Sequence, residues 1–144
     1  MARHPGERVT IKDLASSENY PAPYIEKILR ALRLRKIVDS YQGNQGGYQL
    51  AREPGAITFK EIVEALEGET FDVFCNPAAR GENLICNHSR KCEVAPIWRK
   101  TKEVIDALFS SITLEMIAAN QVGQLIERMP YEHERNRGVY NRAV

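Results

Sequence analysis

Apolar residues recur at helical spacing in several stretches of the chain, and two short β-type runs stand between them. The first helical stretch opens at Thr10-Ile-Lys-Asp13, a capping signal, and runs through Leu14 and Ala15; a turn is expected over Ser16 to Tyr20. Pro21 and Pro23 suit the entry of a second helix, because amides in a first turn need no internal acceptor. Ile25, Ile28, Leu29 and Leu32 then fall on one stripe and predict a buried face. Tyr24, Glu26, Lys27, Arg30 and Arg33 fall on the opposite side, so the solvent face is basic and aromatic.

Ile37-Val-Asp-Ser-Tyr41 and Tyr48-Gln-Leu50 flank the glycine-rich tip Gly43-Asn-Gln-Gly-Gly47, which predicts a hairpin. Thr58-Phe-Lys-Glu61 is a capping box, and Ile62, Val63 and Leu66 continue a helix that Gly68 can end. Pro96 opens a long helix carrying Ile97, Trp98, Val104, Ile105, Leu108, Phe109 and Ile112, more apolar surface than one core contact needs. That excess predicts a second copy of the helix across a dimer axis. Leu114, Ile117, Ala118, Leu125 and Ile126 predict one further helix over Thr113 to Arg128, ended by Pro130. The tail from Tyr131, with Arg135, Arg137 and Arg142, is expected to be loosely ordered.

Helix, turn, basic helix and hairpin in this order predict a winged helix-turn-helix. In that unit a helix enters the major groove and flanking cations hold phosphates. Charge sharpens the prediction. Although the formal net charge is only +1, Lys27, Arg30, Arg33, Arg35 and Lys36 against Glu26 give +4 over residues 21–36. Glu53, Glu61, Glu64, Glu67, Glu69 and Asp72 against Lys60 give −5 over residues 53–72. Such separation points the first stretch at a polyanion. The alternatives are a solvated basic face and a winged helix that contacts only proteins. No apolar run reaches the ~20 residues that span a bilayer and no signal peptide opens the chain, so a cytoplasmic protein with no membrane partner is expected.

All three cysteines, Cys75, Cys86 and Cys92, lie in one polar loop reading FCNPAARGENLICNHSRKC, a poor sequence for helix or strand. Thiolates gathered in this way can meet one metal centre or react with one another. Structural zinc sites use tight pairs about two to four residues apart, whereas here ten residues separate Cys75 from Cys86 and five separate Cys86 from Cys92. Wide spacing suits a loop wrapped around a larger object such as an iron–sulfur cluster, of the two-iron or the four-iron type. His88, Arg90 and Lys91 beside the thiols favour ligation or oxidation. Three incidental loop cysteines are the plain alternative. Cys86 and His88 as a catalytic pair lack an orienting third group and an oxyanion site, so an enzyme is not expected. For a fourth cluster ligand, His88 and Glu93 are the nearby donors of suitable type.

Taken in order, these segments resemble the IscR, NsrR and CymR group of bacterial winged-helix regulators. The resembling residues are Val9-Thr-Ile-Lys-Asp-Leu-Ala15, Tyr24-Ile-Glu26, Leu29-Arg-Ala-Leu32, the wing Gly46-Gly-Tyr48, Ile57-Thr58 and Ile62-Val-Glu-Ala-Leu-Glu-Gly68. The three cysteines, Trp98-Arg99 and Ser111-Ile-Thr-Leu114 follow, so the likeness covers almost everything up to about residue 120. It implies a homodimer on double-stranded operator DNA and, in cysteine-bearing members, an iron–sulfur cluster held by the loop. The chain departs from the family pattern at several points. A longer helix usually precedes the Val9 segment, so either a truncated start or a differently built dimer is expected. Gln42 stands where the wing normally carries an arginine. Ala95 stands where IscR-like members place a ligating histidine, and the first cysteine gap is longer than usual.

The sequence therefore predicts a mainly α fold: a winged helix-turn-helix with a small hairpin wing and a long dimerisation helix. Residues 1–70 form the DNA-binding region, 71–93 the cysteine loop, 94–128 the dimerisation helices and 129–144 a polar tail. Tyr24, Glu26, Lys27, Arg30, Gln42 and Asn44 are the expected DNA contacts, and Cys75, Cys86 and Cys92 the metal ligands. The expected function is transcriptional regulation that responds to iron–sulfur, redox or nitric oxide status. A cluster-free repressor or thiol sensor is the alternative.

Overall fold

The computed structural model describes residues 1–43, 46–68 and 92–129. The elements run α1 (Ile11–Glu18), α2 (Ala22–Leu34), β1 (Val38–Tyr41), β2 (Gly47–Leu50), a 3-10 turn over Pro54–Ala56, α3 (Phe59–Glu67), α4 (Ala95–Ser111), α5 (Leu114–Ala118) and α6 (Val122–Arg128). This is the expected winged helix-turn-helix with a long helix after it. No helix among the described residues is long and apolar enough to cross a membrane.

Local chemistry sets most of the boundaries. Thr10 and Asp13 cap α1 reciprocally: the Thr10 hydroxyl accepts from the Asp13 amide at 3.2 Å, and the Asp13 carboxylate accepts from the Thr10 amide at 3.2 Å. The Thr10 hydroxyl, and after it the Thr10 amide, hold the Asp13 carboxyl below its ordinary pKa. The turn expected from Ser16 comes later. Ser17 donates its hydroxyl back to the Leu14 carbonyl at 3.3 Å, so the helix tolerates it and ends instead at Asn19, in the left-handed region with φ 57.

Pro21 caps α2 and Pro23 sits in its first turn. Its C-terminus closes with Ile37 donating to the Leu32 carbonyl at 3.0 Å while Lys36 adopts φ 55, the Schellman arrangement without a glycine. The wing pairs Val38 with Leu50, Asp39 with Gln49, Ser40 with Tyr48 and Tyr41 with Gly47, antiparallel. Its tip needs Gly46, where a Cβ would lie 2.7 Å from the Tyr41 carbonyl oxygen.

The core is Ile25 and Leu29 of α2, Ile37, Val38 and Ile57, with Ile11, Leu14, Leu32, Tyr48, Leu50, Ile62 and Leu114 packed around it. Ile57 has no solvent exposure at all. Around it the chain after α4 returns: Leu114 donates to the Ile57 carbonyl at 2.9 Å and Phe59 to the Ile112 carbonyl at 2.8 Å. The single helix expected over Thr113–Arg128 is two. Asn120 takes φ 56 and Gln121 donates to the Met116 carbonyl at 2.9 Å, so a left-handed asparagine closes α5 before α6 begins. The second of these ends at Arg128, ahead of Pro130. Pro130 and the tail from Tyr131 lie outside the described residues.

Candidate nucleic-acid interface and cysteine segment

The buried stripe of α2 leaves its opposite face to solvent. Ile25 and Leu29 point into the core, whereas Tyr24, Glu26, Lys27, Arg30 and Arg33 are exposed. Tyr24, Lys27 and Arg30 follow one another at three-residue intervals, which places them along one side of the helix. Tyr24 is 50% exposed and its ring lies 5.3 Å from that of Tyr20, tilted by 35°, so two aromatic faces flank the entry of the helix. At the other end the Arg33 guanidinium donates to the Ser40 hydroxyl at 3.1 Å and ties α2 to the wing. Arg33 thus has a structural task that its place in the basic run does not reveal.

The wing stands directly after this helix. Gln42 is exposed at the end of β1, and Asn44 lies outside the described residues. A cation that sequence reasoning did not assign sits beside it: the Arg8 guanidinium carbon lies 4.0 Å from the centre of the Tyr41 ring. Its signal in the sequence is faint, a lone Val9 that pairs with Tyr48 as an isolated bridge.

Arg52 is occupied elsewhere. It bonds the Ala56 carbonyl at 3.0 Å and Glu61 at 2.7 Å, and Glu61 also completes the capping box of α3. Burial opposes the charged Glu61 carboxylate, but the Thr58 amide, Arg52 and the Thr58 hydroxyl outweigh it and hold its pKa below the ordinary value.

α3 and α4 pack against each other. Phe59 meets Phe109 edge to face at 4.9 Å, and Lys60 reaches Asp106 at 3.3 Å. Lys102 reaches the same carboxylate oxygen at 3.2 Å. Burial disfavours the Lys60 ammonium, yet Asp106 and Glu64 raise its pKa above the ordinary value. The other side of α4 carries exposed Ile97 and Val104, with half-buried Ile105 and Leu108 beside them.

Residues 69–91, with Cys75, Cys86 and His88, lie between these two helices in sequence and outside the described residues. Cys92 is half-buried and stands just ahead of α4, whose first residue is Ala95; Glu93 between them is exposed. Among the described residues no group of three His, Cys, Asp or Glu side chains forms a metal site. By donor chemistry three thiols, Cys92 among them just ahead of α4, suit iron in a cluster and leave a position for one more donor.

Comparison with known proteins agrees with the winged-helix fold. The profile of the Rrf2 family, described as an iron-dependent transcriptional regulator, matches residues 1–120. Protein rrf2 of Nitratidesulfovibrio vulgaris is 32% identical over 115 residues, covering 79% of this chain and 74% of its own length. The structure of CymR, the global cysteine regulator of B. subtilis, superposes with a TM-score of 0.64 at 29% identity, over 83% of this chain and 84% of that one. The IscR of T. potens gives 0.60 at 32% identity, over 85% and 79%. These are transcriptional regulators, not enzymes, and the chain belongs to their family, Rrf2.

Proposed function

We propose that this regulator binds operator DNA as a homodimer, with α2 in the major groove and the wing on the flanking backbone. The observation that carries this reading is the exposed row Tyr24, Lys27 and Arg30, backed by the buried stripe of Ile25 and Leu29. In this assignment Lys27 and Arg30 meet phosphates or base edges, Tyr24 and Glu26 read bases near the helix entry, and Gln42 and Asn44 touch DNA from the wing. Residues 1–70 form the DNA-binding region, 71–93 the sensor, 94–128 the dimerisation helices and 129–144 the tail. The exposed apolar side of α4 supports the dimer, because two recognition helices must stand about 34 Å apart to read a symmetric site.

The sensor we assign to Cys75, Cys86 and Cys92, which would hold an iron–sulfur cluster. When bound, such a cluster supplies an inorganic centre whose presence and redox state follow iron supply, oxidants or nitric oxide. The family's iron dependence and the likeness to an IscR support this assignment. The thiols sit on the connection between α3 and α4, and Cys92 abuts the start of α4. Rearranging that connection shifts the α4 pair and with it the spacing of the two α2 helices. The likeness to a global cysteine regulator favours one second reading, in which the same cysteines act as thiols without a cluster.

Anaerobic purification separates the two. The first reading predicts brown protein with iron and sulfide, affinity for DNA that changes on cluster loss, and no stable cluster in any single Cys→Ala variant at positions 75, 86 or 92. Colourless protein without iron, whose DNA affinity changes on thiol oxidation, supports the second reading instead.

A further inference from the structure

The hairpin that forms the wing has no cation of its own. From Ile37 to Ala51 the sequence contains no Lys or Arg and one acid, Asp39. A hairpin laid along a phosphodiester backbone gains its affinity from cations that displace condensed counterions. The fold brings one in from the N-terminal segment. Val9 and Tyr48 exchange two backbone hydrogen bonds, each 2.9 Å, so this segment adds a third edge beside β2. Gly47 allows the close approach, since a Cβ there would lie 2.9 Å from the Val9 carbonyl oxygen.

Arg8, the residue before this bridge, is exposed and lays its guanidinium over the Tyr41 ring at 4.0 Å. Strand alternation puts Tyr41 on the same face of the hairpin as Asp39 and Gln49, away from the core face that Val38 and Leu50 occupy. Gly47, the cross-strand partner of Tyr41, has no side chain to stand between ring and guanidinium. Gly6, Arg8, Gly46 and Gln49 line an open concavity beside the tip. A guanidinium carries five donors in one plane, a fork that matches the oxygens of a phosphate.

We propose that Arg8, carried on Tyr41, is the phosphate-contacting cation of the wing, which makes the N-terminal segment part of the DNA-binding surface. The proposal rests on the reading of α2 as the helix that docks on DNA. Only Asp39 among the hairpin's residues is an acid on that face, so the competing role for Arg8 is to offset that charge.

The test uses the full chain and a fluorescent mixed-sequence duplex long enough for two half-sites one helical turn apart, titrated across a salt series. Arg8→Ala should weaken binding about fivefold and lower the salt slope by about one. Arg8→Lys should regain the slope but not the full affinity, because an ammonium has no plane to rest on the ring. Tyr41→Phe, which keeps the ring, should bind like the parent. The double variant Arg8→Ala/Asp39→Asn has the parent's net charge and should still bind with the lowered slope; recovery of parental binding would reduce Arg8 to a charge offset and overturn the proposal. So would an Arg8→Ala protein indistinguishable from the parent while Lys27→Ala/Arg30→Ala loses binding, a result that leaves α2 in place. A parent that binds no duplex overturns both readings together.

Discussion

The winged unit and α4 use the same material, apolar residues at helical spacing, to different ends. In the winged unit each apolar stripe meets another: Ile25 and Leu29 face Ile37, Val38 and Ile57, and capping boxes at Thr10 and Thr58 satisfy the first amides of α1 and α3. α4 is only half used. One side closes on α3 through Phe59–Phe109 and Lys60–Asp106, while Ile97 is 61% exposed and Val104 57% exposed on the other. Amphipathic spacing thus identifies a helix without saying who covers it. A self-contained core and an interface awaiting a second copy look alike in sequence until the packing partners are known.

Substitutions on each side should separate these roles. Ile57→Ala removes the most enclosed side chain of the winged unit and should cost about 2–5 kcal/mol of stability, read as a lowered denaturation midpoint. Val104→Glu should leave the protomer folded, because that side chain is mostly in solvent, yet break the proposed dimer. Two copies each losing about 1.5 kcal/mol of apolar burial raise the dimer dissociation constant on the order of a hundredfold, measurable by sedimentation. Unchanged dimers would move the interface off this face of α4.

The smallest effect belongs to Glu61→Gln. Glutamine keeps a cap acceptor but loses the Arg52 ion pair, so the cost at neutral pH should stay below about 1 kcal/mol, given that the carboxylate is more than a third exposed and screened. The folded pKa of Glu61 is depressed, so its stabilising share is fully present above the unfolded value of 4.5 and is lost as pH falls through the folded value. Parent and variant should therefore converge in stability on acidification below that pH. A gap that persists in acid would assign the effect to packing.

Much of the fold was legible in the sequence because its signals are local. Thr10–Asp13 and Thr58–Glu61 announce helix starts through side chains that bond amides three residues away, and the glycine-rich tip announces the hairpin. The signals that failed are conformational: Asn19 and Asn120 stop helices by adopting positive φ, which an asparagine permits but does not require. At the candidate site, the basic row of α2 was visible as periodicity. The Arg8–Tyr41 pair joins residues distant in sequence and depends on the Val9–Tyr48 bridge, so no local pattern marks it. Sequence places Cys75, Cys86 and Cys92 in one polar stretch, and two of them, Cys75 and Cys86, lie outside the described residues, so the choice between cluster and thiol chemistry rests on donor type alone.

The DNA-binding reading, and with it the role given to Arg8, depends on α2 being the DNA-reading helix. Its most direct test is a salt series of binding constants for the parent and the Lys27→Ala/Arg30→Ala protein on duplex DNA. Parental affinity should fall steeply with salt, and the variant should bind more weakly, with a slope lower by about one for each phosphate it no longer neutralises. Equal affinities and equal slopes for the two proteins would contradict the assignment of α2.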